Sequence, residues 1–178
     1  PNIRSRLVAR QIRQPGEEAI FAPTPPLESL RTILSLAATD IAGRAFHDRR
    51  PTSERRTQIS AIDISRAYFN ASMEEGAEPT YVCLPPEHPG LAQGQCGLLL
   101  KHMYGTRAAA DGWQQEYSGF MRKIGFVQGV ASPCIFTHVE RGIACSVHGD
   151  DFTSTGAKSD LDWLEEQLEG KYELRKGG

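Results

Sequence analysis

Apolar residues recur every three or four positions in three segments of the chain, which is the spacing of an amphipathic helix. These segments are 27–38, 108–124 and 160–168. The positions predicted to face the core are Leu27, Leu30, Ile33, Leu34 and Ala37 in the first, Ala109, Trp113, Tyr117, Phe120, Met121 and Ile124 in the second, and Leu161, Leu164 and Leu168 in the third. Gly125 predicts the end of the second helix, because glycine readily adopts the left-handed backbone of a C-terminal cap.

Strand patterns occupy the stretches between these helices. Runs of β-prone residues predict strands over 3–12, 58–64, 81–84, 98–100, 135–139 and 143–147, with one more beginning at Asp151. The strand at 98–100 is expected to continue the main sheet. A short helix or turn is predicted for 65–73, and a core role for Trp113. Strands and helices in this order predict an α+β fold, a split βαβ antiparallel sheet with helices on one face.

The composition fits one soluble domain of ordinary size, with two small subdomains as the alternative. The chain has 178 residues, of which 39% are hydrophobic and 24% charged. No apolar run approaches the roughly 18 residues of a membrane-spanning helix, so no membrane partner is expected. The chain begins without Met and without the apolar core of a signal peptide, which favours a fragment of a longer protein in the cytoplasm or nucleus.

The four cysteines, Cys83, Cys96, Cys134 and Cys145, lack the paired spacing of a zinc site and are predicted to be reduced thiols.

Charge is concentrated locally, although the net charge is only -2. Arginines cluster at 4–13 and again at 44–56, within a polar stretch, 43–58, that we interpret as a surface loop. Either cluster could contact phosphates, and the alternative is ordinary solvated arginine.

Adjacent carboxylates are the strongest chemical feature of the chain. Asp150 and Asp151 follow a β-prone stretch and Gly149, which predicts a hairpin with acids at its tip. Neighbouring carboxylates repel, and a divalent cation would allow both to stay ionised. Asp63 lies in another apolar, β-prone run, where an unpaired carboxylate would be costly to bury. Three acids on two strands predict a site for two metal ions.

Nearly the whole chain resembles the reverse transcriptase domain of Ty1/copia-type retrotransposon polyproteins. The resemblance rests on several short motifs that occur in the family's order. They are Arg6-Leu7-Val8-Ala9-Arg10, Phe21-Ala22-Pro23, Leu30-Arg31-Thr32-Ile33-Leu34, Ile62-Asp63 with Ala67-Tyr68-Phe69-Asn70, Met103-Tyr104-Gly105 with Trp113, Gly125-Phe126, Ser132-Pro133-Cys134-Ile135-Phe136 and Lys171-Tyr172-Glu173-Leu174.

The resemblance implies an RNA-directed DNA polymerase, with polymerase fingers and palm over residues 1–178 and without thumb, RNase H or integrase regions. Its partners would be an RNA or DNA template with a primer, deoxynucleoside triphosphates and the remainder of a Pol polyprotein. Two Mg²⁺ ions, or Mn²⁺, would assist transfer to the primer 3′ hydroxyl. Asp63 and Asp150 would bridge both ions, with Asp151 more peripheral and the Ile64 carbonyl as a further ligand.

The resemblance also implies substrate contacts. Tyr68, or Phe69 if the register slips, would exclude a 2′ hydroxyl, and the amides of 65–67 would meet the triphosphate. Tyr104 and Gly105 would lie beside the incoming base or the template. The arginines implied to contact triphosphate or template phosphates are Arg4, Arg6 and Arg10.

Four departures separate this chain from the family pattern. His148 and Gly149 replace the Tyr-Val of Tyr-Val-Asp-Asp, Arg107-Ala108 replaces Lys-Gln, Ala110 replaces a proline, and the 43–58 loop is an insertion. A catalytically inactive remnant that folds and binds nucleic acid or a protein is therefore the alternative to an active polymerase. A third hypothesis takes Gly149-Asp150-Asp151 as the motif of an RNA-dependent RNA polymerase.

Overall fold

The computed structural model describes residues 7–12, 15, 24–39, 57–73, 76 and 78–176. These residues form an α+β fold, as predicted. Its helices are α1 (Leu27–Ala38), α2 (Ala109–Lys123) and α3 (Lys158–Glu169). Its strands are β1 (Thr57–Ile64), β2 (Tyr81–Cys83), β3 (Cys96–Leu98), β4 (Val127–Gln128), β5 (Ile135–His138), β6 (Ile143–His148), β7 (Asp151–Ala157) and β8 (Leu174–Lys176). Two 3₁₀ turns cover Ala67–Asn70 and Leu91–Gln93.

The described residues belong to two compact units. Described residues within 1–21 and 68–116 form one unit, and described residues within 22–67 and 117–178 form the other. The second unit contains a six-stranded sheet in the order β4-β5-β6-β7-β1-β8, and each neighbouring pair is antiparallel. β1 therefore lies inside the sheet, between the hairpin strand β7 and the last strand β8.

One face of this sheet carries the main apolar core. Ile62, Ile64, Phe136, Val147 and Phe152 are each at most 3% exposed. Aromatic contacts place α2 and α3 on this face. The ring centroid of Tyr117 in α2 lies 6.0 Å from that of Phe136 and 5.7 Å from that of Phe152. The ring centroid of Trp163 in α3 lies 5.3 Å from that of His138. Burying a large apolar side chain stabilises a fold by about 1.5–3 kcal/mol, so this layer is the main source of stability in the unit.

The opposite face of the sheet is covered by α1. Strand alternation puts Asp63 and Asp151 on this face, and both line a cavity together with Pro26 and Leu30 at the start of α1. The prediction of helices on one face is therefore wrong. The error arose because the apolar periodicity of a helix fixes which side it buries, but not which face of the sheet receives that side.

The predicted inward face of α1 is also only partly right. Ile33 is buried, but Leu27 and Leu34 are 56% and 41% exposed. Leu30 and Ala37 are half-buried, as is Leu36, which was not predicted to face the core. The bounds of all three helices agree with their predictions to within two residues. Gly125 ends α2 as predicted, with φ +97°, and the Phe126 amide donates to the Met121 carbonyl over 3.0 Å.

Among the described residues of the first unit, β2 and β3 pair with each other and with no other strand. The expectation that 98–100 would continue the main sheet is wrong, since Leu98 ends β3 and the Leu99 amide donates to the Thr80 carbonyl over 2.9 Å. Trp113 is 1% exposed, which confirms its core role.

The described part of the predicted strand 3–12 is not a strand. Within 7–12, the Ala9 amide donates to the Tyr104 carbonyl over 2.8 Å and the Gln11 amide donates to the Gly105 carbonyl over 3.2 Å. The pattern predicted an extended segment without revealing that its partner would be a loop. The predicted loop 43–58 lies outside the described residues except for Thr57 and Gln58, which belong to β1.

None of the described helices is both long enough and apolar enough to cross a membrane.

Candidate functional site

The β6–β7 hairpin ends in a two-residue turn that carries one of the acids. His148 and Asp151 form its last cross-strand pair, so Gly149 and Asp150 are the turn residues. Gly149 has φ +63°, whereas Asp150 has no positive φ. A positive φ at the first turn position alone fits a type II′ turn, in which glycine is favoured at that position. The sequence prediction of an acid-tipped hairpin is confirmed.

Asp63 on β1 lies directly opposite Asp151 on β7. The Ile64 amide donates to the Asp150 carbonyl over 2.8 Å, which makes the 64/150 position a hydrogen-bonded pair. Because the two kinds of pair alternate along an antiparallel ladder, the 63/151 position is a non-hydrogen-bonded pair. In such pairs the Cα atoms are about 4.5 Å apart and both side chains project from the same face. The fold thus brings the three predicted acids together at one end of the sheet.

The proximity of these acids affects protonation. Partial desolvation beside the sheet raises the pKa of Asp151, the carboxylates of Asp150 and Asp63 raise it further, and His148 lowers it. Two like charges therefore act on Asp151 from two different elements, the turn and β1. A divalent cation bound among them would favour the ionised form of all three. Among the described residues, however, no three His, Cys, Asp or Glu side chains already form a converged ligand cluster.

A cavity of about 460 Å³ opens beside the acids, between the sheet and the start of α1. Its polar lining is Asp63, Asp151, His148, Ser146 and Thr153, all on the same face of the sheet. Pro25, Pro26, Leu27 and Leu30 form its apolar side. Ser146 and Thr153 are site residues that the sequence analysis missed. The available signal was their position two residues from His148 and Asp151, since alternate residues of a strand share a face.

The backbone after Asp63 makes a tight turn. Arg66 has φ +56° and is the one non-glycine with positive φ among the described residues. The Ser65 amide donates to the Glu173 carbonyl over 2.8 Å, and the Arg66 guanidinium pairs with the Glu173 carboxylate. Because that ion pair is largely exposed, the backbone hydrogen bond is the firmer attachment. No sequence signal indicated a left-handed arginine, since residues other than glycine, asparagine and aspartate rarely adopt that conformation.

The predicted substrate-binding aromatics come together in the other unit. The ring of Tyr104 lies 4.4 Å from that of Tyr68 and 5.7 Å from that of Phe69, measured between centroids. Gly105 follows with φ +87°. Arg10 is exposed, as phosphate contact would require, whereas Arg4 and Arg6 lie outside the described residues.

Comparisons with known proteins identify the family of the chain. The family model described as reverse transcriptase (RNA-dependent DNA polymerase) matches residues 2–178. A retrovirus-related Pol polyprotein from transposon TNT 1-94 of Nicotiana tabacum is 26% identical over 139 residues. That alignment covers 75% of this chain but 9% of the relative's length, so the chain corresponds to a small part of that polyprotein. No solved structure gives a significant match.

Proposed function

Because the chain belongs to the reverse transcriptase (RNA-dependent DNA polymerase) family, we propose that it joins a deoxynucleotide to the 3′ hydroxyl of a primer on an RNA or DNA template. The observation that carries this proposal is the register of β1 and β7, which sets Asp63 opposite Asp151 beside the turn residue Asp150. The unit with the six-stranded sheet would be the polymerase palm, with the split βαβ arrangement of the family. The unit with the β2–β3 hairpin would contribute the fingers.

The acids suit hard divalent cations. Carboxylate oxygens are the ligands Mg²⁺ prefers, and Mg²⁺ commonly takes one or two carboxylates plus substrate phosphates and water. Asp63, Asp150 and Asp151 would hold the two ions, with Asp151 the most peripheral of the three, and the Ile64 carbonyl would add one oxygen. When bound, two Mg²⁺ or Mn²⁺ ions would stabilise charge on the attacking and leaving oxygens of the displacement at the α-phosphate.

The family resemblance also supplies proposed substrate contacts in each of the two units. The turn at 65–67 would present backbone amides to the triphosphate, and the backbone hydrogen bond from Ser65 to Glu173 would hold that turn in place. Tyr68 or Phe69 would exclude a 2′ hydroxyl, and Tyr104 and Gly105 would border the base or template. Arg10, with Arg4 and Arg6, would bind phosphates. The remainder of a Pol polyprotein is the proposed covalent partner, and cytoplasm or nucleus the proposed location.

Primer extension on poly(rA)-oligo(dT) with Mg²⁺ or Mn²⁺ tests this proposal. The wild-type chain should incorporate deoxythymidylate, and Asp63→Asn should lose incorporation by at least about 100-fold, the scale of removing one preorganised electrostatic group. Glu140→Gln is the matched control, since Glu140 is an exposed acid in the turn at the other end of β6.

Three results would contradict the proposal. Equal extension by Asp63→Asn and the wild type would rule out the acid site. No extension by any variant, with retained binding to the primer-template duplex, would favour the inactive remnant. Incorporation of ribonucleotides in preference to deoxynucleotides would favour an RNA polymerase.

A further inference from the structure

Two cysteines face each other across the β2–β3 hairpin of the first unit. Cys83 ends β2, Cys96 begins β3, and the two residues are direct cross-strand partners. Both thiols are free and both residues are exposed, whereas Cys134 and Cys145 are buried in the other unit. The proposed polymerase function uses neither Cys83 nor Cys96.

The alternation of hydrogen-bonded and non-hydrogen-bonded pairs along the β2–β3 hairpin brings these cysteines close. The Leu99 amide donates to the Thr80 carbonyl over 2.9 Å, which makes the 80/99 position a hydrogen-bonded pair. Hydrogen-bonded and non-hydrogen-bonded pairs alternate, so 82/97 is hydrogen-bonded and 83/96 is not. Non-hydrogen-bonded partners have Cα atoms about 4.5 Å apart, within the roughly 4.4–6.8 Å span of a disulfide. A bond between the two sulfurs therefore requires little backbone movement.

The face that bears the two cysteines is open to solvent. By strand alternation it also carries Tyr81 and Leu98, which are 59% and 50% exposed. The half-buried Val82 and Gly97 belong to the opposite face. A small oxidant in solution can therefore reach Cys83 and Cys96 without opening the hairpin.

We propose that Cys83 and Cys96 form a reversible intramolecular disulfide by exchange with a small-molecule disulfide of the glutathione class. The thiolate of either cysteine attacks one sulfur of the oxidised glutathione, a mixed disulfide forms, and one glutathione thiolate leaves. The second cysteine thiolate then attacks the protein sulfur of the mixed disulfide and releases the other glutathione thiolate. The two cysteines lose two electrons, glutathione disulfide gains them, and the two thiol protons end on the released glutathiones. The product ties together the ends of loop 84–95.

Mass spectrometry of the 178-residue chain treated with oxidised glutathione tests this proposal. The expected product is the monomer lacking two hydrogen atoms, and cleavage after Glu87 should leave the peptides that contain Cys83 and Cys96 joined by a disulfide. Cys134 and Cys145 should react with iodoacetamide only after denaturation, which provides an internal control within the same sample.

Variants show whether the disulfide depends on the proximity of the two cysteines or only on the reactivity of each thiol. Cys83→Ser and Cys96→Ser should each retain one glutathione on the remaining cysteine, because no second thiol is there to release it. Adding Val82→Cys to Cys83→Ser returns a thiol to β2 on the opposite face, and this variant should also keep the adduct. Glutathione adducts on both cysteines of the wild type, cross-links between chains, or an equally efficient intramolecular bond in the Val82→Cys variant would overturn the proposal.

Discussion

Asp63 on β1 is the direct cross-strand partner of Asp151 on β7, and the turn that joins β7 to β6 carries Asp150. A sheet ordinarily disfavours like charges directly opposite each other. The proposed function accounts for this pairing, because the carboxylates would hold the cations that the reaction needs. The pairing has consequences for stability as well as for the proposed catalysis.

The first prediction concerns the pH dependence of stability without metal. Because the pKa of Asp151 is raised in the folded chain, the folded state binds this proton more tightly than the unfolded state. The contribution of Asp151 to stability therefore falls as pH rises from the usual aspartate pKa of about 4 through the raised value. Asp151→Asn should be more stable than the wild type by roughly 0.5 kcal/mol at neutral pH, the scale of an exposed charge pair. Urea denaturation in chelator across this pH range measures the difference.

Asp162→Asn is the control, for which the expected change in the free energy of unfolding has the opposite sign. The Asp162 carboxylate pairs with Lys158 over 2.7 Å on the exposed side of α3, so its removal should slightly destabilise the fold at neutral pH. A wild type that is more stable than Asp151→Asn at pH 7, or a difference independent of pH, would contradict the proposed repulsion.

The second prediction concerns the turn glycine. Gly149→Ala should destabilise the fold by about 1 kcal/mol, because φ is +63° and a residue with a Cβ is strained there. The added Cβ would meet nothing within 4 Å, so backbone strain is the only expected contribution to the loss of stability. Gly119→Ala is the matched control: its Cβ also meets nothing within 4 Å, but it lies inside α2. That substitution should stabilise the helix by up to about 1 kcal/mol. Two changes of the same sign in thermal denaturation would contradict this interpretation.

The third prediction concerns the packing of 7–12 against the loop at Gly105. A Cβ at Gly105 would lie 1.8 Å from the Ala9 carbonyl oxygen, in addition to the strain of φ +87°. Gly105→Ala should therefore destabilise the first unit by more than about 2 kcal/mol, or displace 7–12. Gly94→Ala isolates the strain, since φ is +69° and the added Cβ meets nothing. Hydrogen exchange at the Ala9 and Gln11 amides should accelerate only in Gly105→Ala, and equal acceleration in both variants would contradict the proposed contact.

The fourth prediction concerns sugar selectivity and follows from the proposed function. Tyr68→Ala should raise ribonucleotide incorporation relative to deoxynucleotide incorporation by about 10-fold or more, because the ring that would exclude the 2′ hydroxyl is removed. Tyr81→Ala removes an exposed tyrosine from the same unit and should leave the ratio unchanged. Competition between the two nucleotides in one primer-extension reaction gives the ratio, and an unchanged ratio in Tyr68→Ala would remove that residue from its proposed role.

Local patterns in the sequence predicted the elements but not their long-range pairing. The helices around Ile33, Trp113 and Leu164 follow from apolar spacing, and the hairpin at Gly149 follows from its turn residues. Nothing local specifies that Asp63 should pair with Asp151 or that α1 should cover the acid-bearing face. Those features depend on contacts between segments far apart in the chain, which periodicity does not encode.

Two further features of the structure could not be predicted from the sequence. The left-handed turn at Arg66 has no sequence signature, because arginine rarely adopts a positive φ. The separate β2–β3 sheet consists of short strands whose pattern equally fits an extension of the main sheet. The family resemblance, carried by motifs such as Ile62-Asp63, was confirmed by the match over residues 2–178. It supplied the expected roles of Tyr68 and Tyr104, which composition and spacing do not indicate.

The most direct test of the acid site is a Mn²⁺ titration followed by amide NMR signals, because it measures cation binding independently of polymerase activity. Paramagnetic broadening should appear first at Ile64 and at 149–152 in the wild type, and Asp150→Asn should require at least about 10-fold more Mn²⁺ for the same broadening. Glu140→Gln should titrate like the wild type. Broadening that begins elsewhere in the chain, or an Asp150→Asn titration that matches the wild type, would contradict the account.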